Sequence, residues 1–176
     1  MKRNYIIKSI LFFSILLFAA SCKTVEKGAP YRVYEGEGDE KIIVGKISWA
    51  KWQQNAGWDN YSAPAYIPSE LTLEKIDKYS SSMDIKYYIF GASWCGDSKE
   101  EMPRLFKLLN MAGVAPGKIE LLGVDRKKFE PTGQALRFDI RRVPTLVITK
   151  NGAEIGQIVE HPDKSWGTDI LMILFK

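Results

Sequence analysis

A chain of 176 residues with 45% hydrophobic and 26% charged positions has room for one globular domain plus a targeting segment, and matches neither a disordered nor a membrane-embedded composition. Of its formal charge of +4, Lys2, Arg3 and Lys8 supply three units near the start; without them 22 basic residues face 21 acidic ones. That balance removes the electrostatic case for a nucleic-acid partner, and two cysteines with a single histidine, His161, are too few donors for a Cys/His zinc site.

Lys2, Arg3 and Lys8 form a basic n-region, and residues 10–20 form an apolar h-region broken only by Ser14. The run is shorter than the roughly 20 apolar residues that span a bilayer, so residues 1–21 read as a signal peptide. Ala19-Ala20-Ser21-Cys22 sets small residues directly before a cysteine. This resembles a bacterial lipoprotein signal, with Ala19 in place of the usual leucine. The resemblance implies that Cys22 is lipidated and anchors the mature chain to a membrane of the bacterial cell envelope, facing the periplasm. Ordinary secretion with cleavage near Ser21 is the alternative. Lipidation leaves Cys95 as the one free thiol, in a compartment where disulfides persist.

Residues 22–40, with Lys23, Glu26, Lys27, Gly28, Gly36 and Gly38, read as a polar tether. Residues 41–82 form an aromatic-rich extension, in which Trp49, Trp52, Trp58, Tyr61 and Tyr66 either offer a stacking surface or pack onto the main domain. Residues 47–54 fit a short helix or strand, and residues 57–68 look irregular. Ser69 predicts the N-cap of a helix over 69–79, with Leu71, Leu73, Ile76 and Tyr79 apolar.

Residues 83–176 carry a clearer rhythm. An apolar β-rich strand covers 86–92. A helix over 97–112 repeats Met102, Leu105, Phe106 and Leu109, is kinked by Pro103 and is stopped by Gly113. A second buried strand at 119–124 leads into the loop Asp125-Arg126-Lys127-Lys128, read as solvated and ordered by Asp125. A short helix over 132–138 follows, then strands at 144–149 and 154–159 joined through Asn151-Gly152, then a helix over 163–175. A parallel pair with a crossover helix, followed by an antiparallel hairpin, predicts an α/β fold with a central mixed sheet flanked by helices.

The densest chemical signal is Trp94-Cys95-Gly96-Asp97-Ser98, placed where a buried strand turns into a helix. A thiol there faces unpaired backbone N–H groups and the positive end of the helix dipole, which favour thiolate. Asp97, in the first turn, favours the helix and opposes a second nearby anion.

From about residue 84 the chain resembles the thioredoxin superfamily. Trp94-Cys95-Gly96 matches the active-site turn, and Pro103 sits eight residues after the cysteine, at the family's kinking proline. Ile140-Arg141-Arg142-Val143-Pro144-Thr145 resembles the segment with the family's cis-proline, which would make Pro144 the cis residue. Lys150-Asn151-Gly152 then gives the hairpin turn. The spelling of the site, with the aromatic segment upstream, also resembles a group of bacterial thioredoxin-family lipoproteins. Ser98 stands where two-cysteine sites put their resolving thiol, giving a CxxS site. Ile89 stands at the family's buried aspartate, and the lysine that accompanies it would fall near Leu121.

The resemblance implies thiol–disulfide exchange with protein or peptide thiols and disulfides through Cys95 alone, with no cofactor or metal. Turnover then needs an external thiol, which suits isomerisation or de-thiolation more than dithiol reduction. Ser98 would hydrogen-bond the thiolate, Trp94 would be a wall for the substrate or a cap on the domain edge, and Val143 and Pro144 would pair with a bound peptide. Arg141 and Arg142 would offset Asp97, assist the thiolate or hold an acidic substrate group; otherwise they are solvated or pair with Asp139 and Asp97. His161 reads as a surface residue. The competing reading is a redox-inactive binding module that keeps the groove and has lost turnover. Peroxide reduction fits poorly, because Ala92 stands where the peroxiredoxin TxxC spelling has threonine.

Overall fold

Alternation along the central strand explains why two layers of helices and loops are needed. In β3 (Ile85–Gly91), Ile85, Tyr87 and Ile89 point into one apolar cluster, while Tyr88 and Phe90 point into another on the opposite face. A strand buried on both faces has to be central. The structure, a computed structural model, describes residues 30–58 and 61–175. The signal peptide and Cys22 lie outside the described residues.

The other strands are β1 (Tyr31–Glu35), β2 (Lys41–Ile47), β4 (Ile119–Gly123), β5 (Thr145–Lys150) and β6 (Ala153–Val159). They form one six-stranded sheet in the order β1-β2-β4-β3-β5-β6. Only β3 and β4 are parallel, from Tyr87 opposite Ile119 to Gly91 opposite Gly123. The crossover between them is helix α3 (Gly96–Met111), and the β5–β6 hairpin turns on Asn151 and Gly152, both at positive φ (54° and 77°). The expected α/β mixed sheet is therefore present.

The N-terminal third is more than a cover on that sheet. β1 falls within the segment expected to be a tether, and β2 pairs with β4 as a full member of the sheet. Ser48 caps helix α1 (Trp49–Ala56), settling the helix-or-strand ambiguity of residues 47–54. Trp52 and Trp58 are buried in the main core, and Trp49 stacks on Phe106 of α3 with centroids 4.3 Å apart. The aromatic segment thus packs inward, as one of its two sequence readings held.

Ser69 caps helix α2 (Glu70–Ser82) by accepting from the Thr72 N–H. This helix packs on α5 (Trp166–Leu174), with Tyr79 edge-on to Phe175. Ser80, at its buried face, shares a 2.6 Å hydrogen bond with Tyr87. Burial pushes the Tyr87 hydroxyl up to about 12, and the Ser80 bond pulls the other way. Helix α4 (Gln134–Arg137) is shorter than expected, and α5 starts later, where Ser165 caps it.

Candidate active site

At the carboxyl end of β3 the chain turns through Ala92, Ser93 and Trp94, and Cys95 is the N-cap residue of α3. The Cys95 N–H donates to the Ala92 carbonyl at 3.0 Å, closing the turn, and the Cys95 carbonyl accepts from Lys99 N–H at 3.1 Å, opening the helix. No side chain caps this N-terminus, so its first N–H groups stay directed at the thiol end of the turn. The side chain of Cys95 is half-buried, and its Sγ–H donates to the Val143 carbonyl at 3.3 Å.

That carbonyl belongs to the loop before β5. The Val143–Pro144 peptide is cis, as expected, and both residues are buried. Thr145 Oγ1 donates to the Arg142 carbonyl at 2.8 Å, and Glu160 N–H donates to the Pro144 carbonyl at 2.6 Å. Glu160 adopts φ of 63°, a left-handed conformation uncommon for a residue other than glycine, and also pairs with Arg142 at 3.0 Å. The loop that meets the thiol is thus held from both sides.

Ser98 is fully buried, and its Oγ accepts the Ala92 N–H at 3.2 Å. Its assigned partner is the backbone of the turn, and no bond joins it to Cys95 among the described residues. Ser93 was not singled out by sequence, yet its Oγ donates to the Lys41 carbonyl and accepts from Ile43 N–H, tying the turn to β2. A small hydroxyl beside the site was the only signal for it.

Trp94 sits at the domain edge, where one of its two readings put it. Its Nε1–H donates to the Val124 carbonyl at 3.3 Å, fixing the ring at the domain edge, where it remains half-buried. Arg126 and Lys128 lie over that ring at 4.9 and 5.1 Å, so the loop after β4 is packed on the site as well as solvated. Arg126 also pairs with Glu40. Asp125 orders the loop as expected, its Oδ1 accepting from the Lys127 and Phe129 N–H groups at 2.8 Å each.

Arg141 and Arg142 each form an ion pair. Arg141 pairs with Asp139 at 2.6 Å on the open surface, and Arg142 with Glu160; neither pairs with Asp97, which is exposed. Such exposed pairs contribute little to stability. His161 is exposed, as expected. Ile89 and Leu121 face each other across the parallel β3–β4 pair, and both belong to the apolar core. The two positions linked by the resemblance to an acid–base pair are therefore neighbours here, and both are hydrocarbon.

One buried charge escaped the sequence reading. Glu130 is 2% exposed, its Oε2 accepting Thr132 N–H at 2.6 Å and its Oε1 accepting Ala135 N–H at 3.0 Å. The signal was an acidic residue before Pro131 and a helix start. Glu130→Ala is expected to leave the buried Ala135 N–H and the part-buried Thr132 N–H unpaired and to cost about 2 kcal/mol in urea unfolding. A loss below about 0.5 kcal/mol would show that water replaces the carboxylate.

Comparison with known proteins places this geometry. A family model described as thioredoxin matches residues 72–167. Protein disulfide-isomerase A4 of Bos taurus is 29% identical over 119 residues, covering 68% of this chain, which spans only 17% of that protein. Thioredoxin of Staphylococcus haemolyticus is 31% identical over 87 residues, covering 49% of this chain and 79% of its own length. The oxidised form of mitochondrial thioredoxin 3 from Saccharomyces cerevisiae is 24% identical, covers 58% of this chain and 88% of its own, and superposes with a TM-score of 0.37. With more than half of its length under the family model, and its cysteine turn and cis-proline in their expected places, the chain belongs to the thioredoxin family.

Proposed function

We propose that this chain is a membrane-anchored thiol–disulfide exchange protein of the bacterial cell envelope, working through Cys95 alone. In this reading residues 1–21 are the signal peptide, Cys22 carries the lipid, and residues 22–30 are the tether. The Cys95 thiolate attacks one sulfur of a substrate disulfide, the old S–S bond breaks, and the departing thiolate takes a proton from solvent. The product is a mixed disulfide on Cys95. A thiol on the substrate or an external small thiol then attacks it, frees Cys95 and leaves as the new disulfide, so one bond forms for each bond broken. Trp94 and the Val143–Pro144 loop flank the incoming peptide, and Ser98 holds the turn that presents the thiol.

A single observation carries this reading. The nucleophile position holds an accessible cysteine against the Val143 carbonyl, while the resolving position holds a fully buried serine bound to backbone. The test uses the lipid-modified protein purified from membranes into neutral detergent and mixed with a peptide whose single cysteine is activated as a pyridyl disulfide, so that the bound peptide carries no thiol of its own. Mass spectrometry should find one peptide per chain, stable until a small thiol is added, and a lipid mass on Cys22. Spontaneous release of the peptide with no added thiol would refute monothiol exchange.

The apolar pair Ile89–Leu121 favours the second reading, a peptide-binding module without turnover. Peptide binding that survives Cys95→Ser, together with failure of the wild type to trap any peptide, would establish it.

A further inference from the structure

One well-formed cleft lies away from the thiol. It has a volume of about 670 Å³, within the range of small-ligand sites, and lies between α1, α3 and β4. Its apolar wall includes the stacked rings of Trp49 and Phe106, together with Tyr61 and Pro103. A second cleft of about 370 Å³ shares Tyr61 and Pro103 and ends at Gly96, the residue after Cys95. The two together follow one side of α3 from the thiol end towards its middle.

Charge along this groove is one-sided among the described residues. Lys99, Pro103 and Lys107 recur every four residues, so they share a face of α3, with the two lysines about 12 Å apart along the axis. Lys99 lies over the Tyr61 ring at 4.7 Å. Lys107 Nζ donates to the Ala63 and Pro64 carbonyls, using two of its three donors. Neither has a carboxylate partner among the described residues. The other charged groups of the walls are spoken for: Lys46 pairs with Glu120, and Arg104 with Glu100 and Glu101. Among the described residues, Glu100 is the only carboxylate in either wall. An aromatic cleft with two such ammonium groups, and with the one acid among its described residues already neutralised, complements an anion with an apolar body.

We propose that this groove binds a small anionic amphiphile, a monocarboxylate carrying an aromatic or alkyl body. The body lies against Trp49 and Phe106, and the carboxylate takes the remaining donor of Lys107 or the ammonium of Lys99. The site is separate from the exchange chemistry of Cys95 and does not depend on it.

The test is isothermal titration of the mature, lipid-anchored protein in neutral-lipid nanodiscs, with empty discs as the blank. The probes are phenylbutyrate and its neutral analogue phenylbutanol. The carboxylate should bind about tenfold more tightly than the alcohol at low ionic strength, because a charge-assisted hydrogen bond is worth about that much. In the double variant Lys99→Met, Lys107→Met the preference should fall to about one. Equal affinity of acid and alcohol for the wild type overturns the proposal, as does absence of binding by either. Retention of the acid preference in the double variant overturns it too. The wild-type comparison stands even if loss of the Lys107 contacts loosens residues 63 and 64.

Discussion

Cys95→Ser is expected to abolish mixed-disulfide formation, a loss of at least about a thousandfold, since a serine hydroxyl at neutral pH is no match for a thiolate attacking sulfur. The informative companion is Ser98→Cys. Residues 95 and 98 bracket the first turn of α3, and a three-residue step at a helix start brings two side chains within disulfide reach. The new thiol would replace an Oγ that is fully buried and accepts the Ala92 N–H, so a cost of about 1 kcal/mol in stability should accompany it. In exchange the mixed disulfide should no longer accumulate: the introduced thiol attacks it from within, the peptide leaves reduced, and the protein ends as an internal disulfide. Rapid quenching with acid and mass analysis reads all three species. If Ser98→Cys still accumulates the peptide adduct as the wild type does, a thiol buried at this position cannot reach the bond, and the serine is there to hold the turn.

The parts legible in sequence were those whose signal is local. β3 declared itself by an unbroken apolar run, α3 by helical spacing around a proline, and the β5–β6 turn by Asn151-Gly152. Pro144 was identifiable through resemblance, since nothing in a lone proline specifies its isomer. β1 was missed because it is an edge strand: four of its five residues are exposed, so Tyr31 to Glu35 lacks the apolar alternation that marks a half-buried strand. The partners of Ser98 and Ser93 were illegible for another reason. Both hydroxyls bond to backbone: Ser98 back across the turn to Ala92, which the helical spacing does not announce, and Ser93 to β2 about fifty residues away, which only the sheet order brings near. Arg142 shows the limit of placing charge by proximity in sequence, whereas Arg141 pairs with Asp139, the near neighbour that sequence had offered. Their partners, Asp139 and Glu160, sit one on the same loop and one on the far strand's exit.

The sharpest structural prediction concerns Gly123, because the same crowded spot supports both sheet and site. It ends β4 between Gly91 of β3 and Gly45 of β2. A methyl group there would lie 2.3 Å from the Ile43 carbonyl oxygen and 3.0 Å from the Trp52 ring. The oxygen is backbone within a paired strand and the ring is fully buried, so neither can step aside cheaply. Gly123→Ala should cost about 3 kcal/mol, lowering the urea midpoint by about 2 M at a slope of about 1.5 kcal/mol/M. Gly117→Ala is the control: nothing lies within 4 Å of its added carbon, and its midpoint should match the wild type. The damage should also reach the chemistry. Ile43, pushed by the new methyl, offers its N–H to Ser93 Oγ, two residues before Cys95. Exchange by the folded fraction of Gly123→Ala should therefore slow, while Gly117→Ala keeps its rate. A midpoint for Gly123→Ala within about 0.3 M of the wild type would mean that β2 can shift against β4, and that the first two strands are held less firmly than their pairing implies.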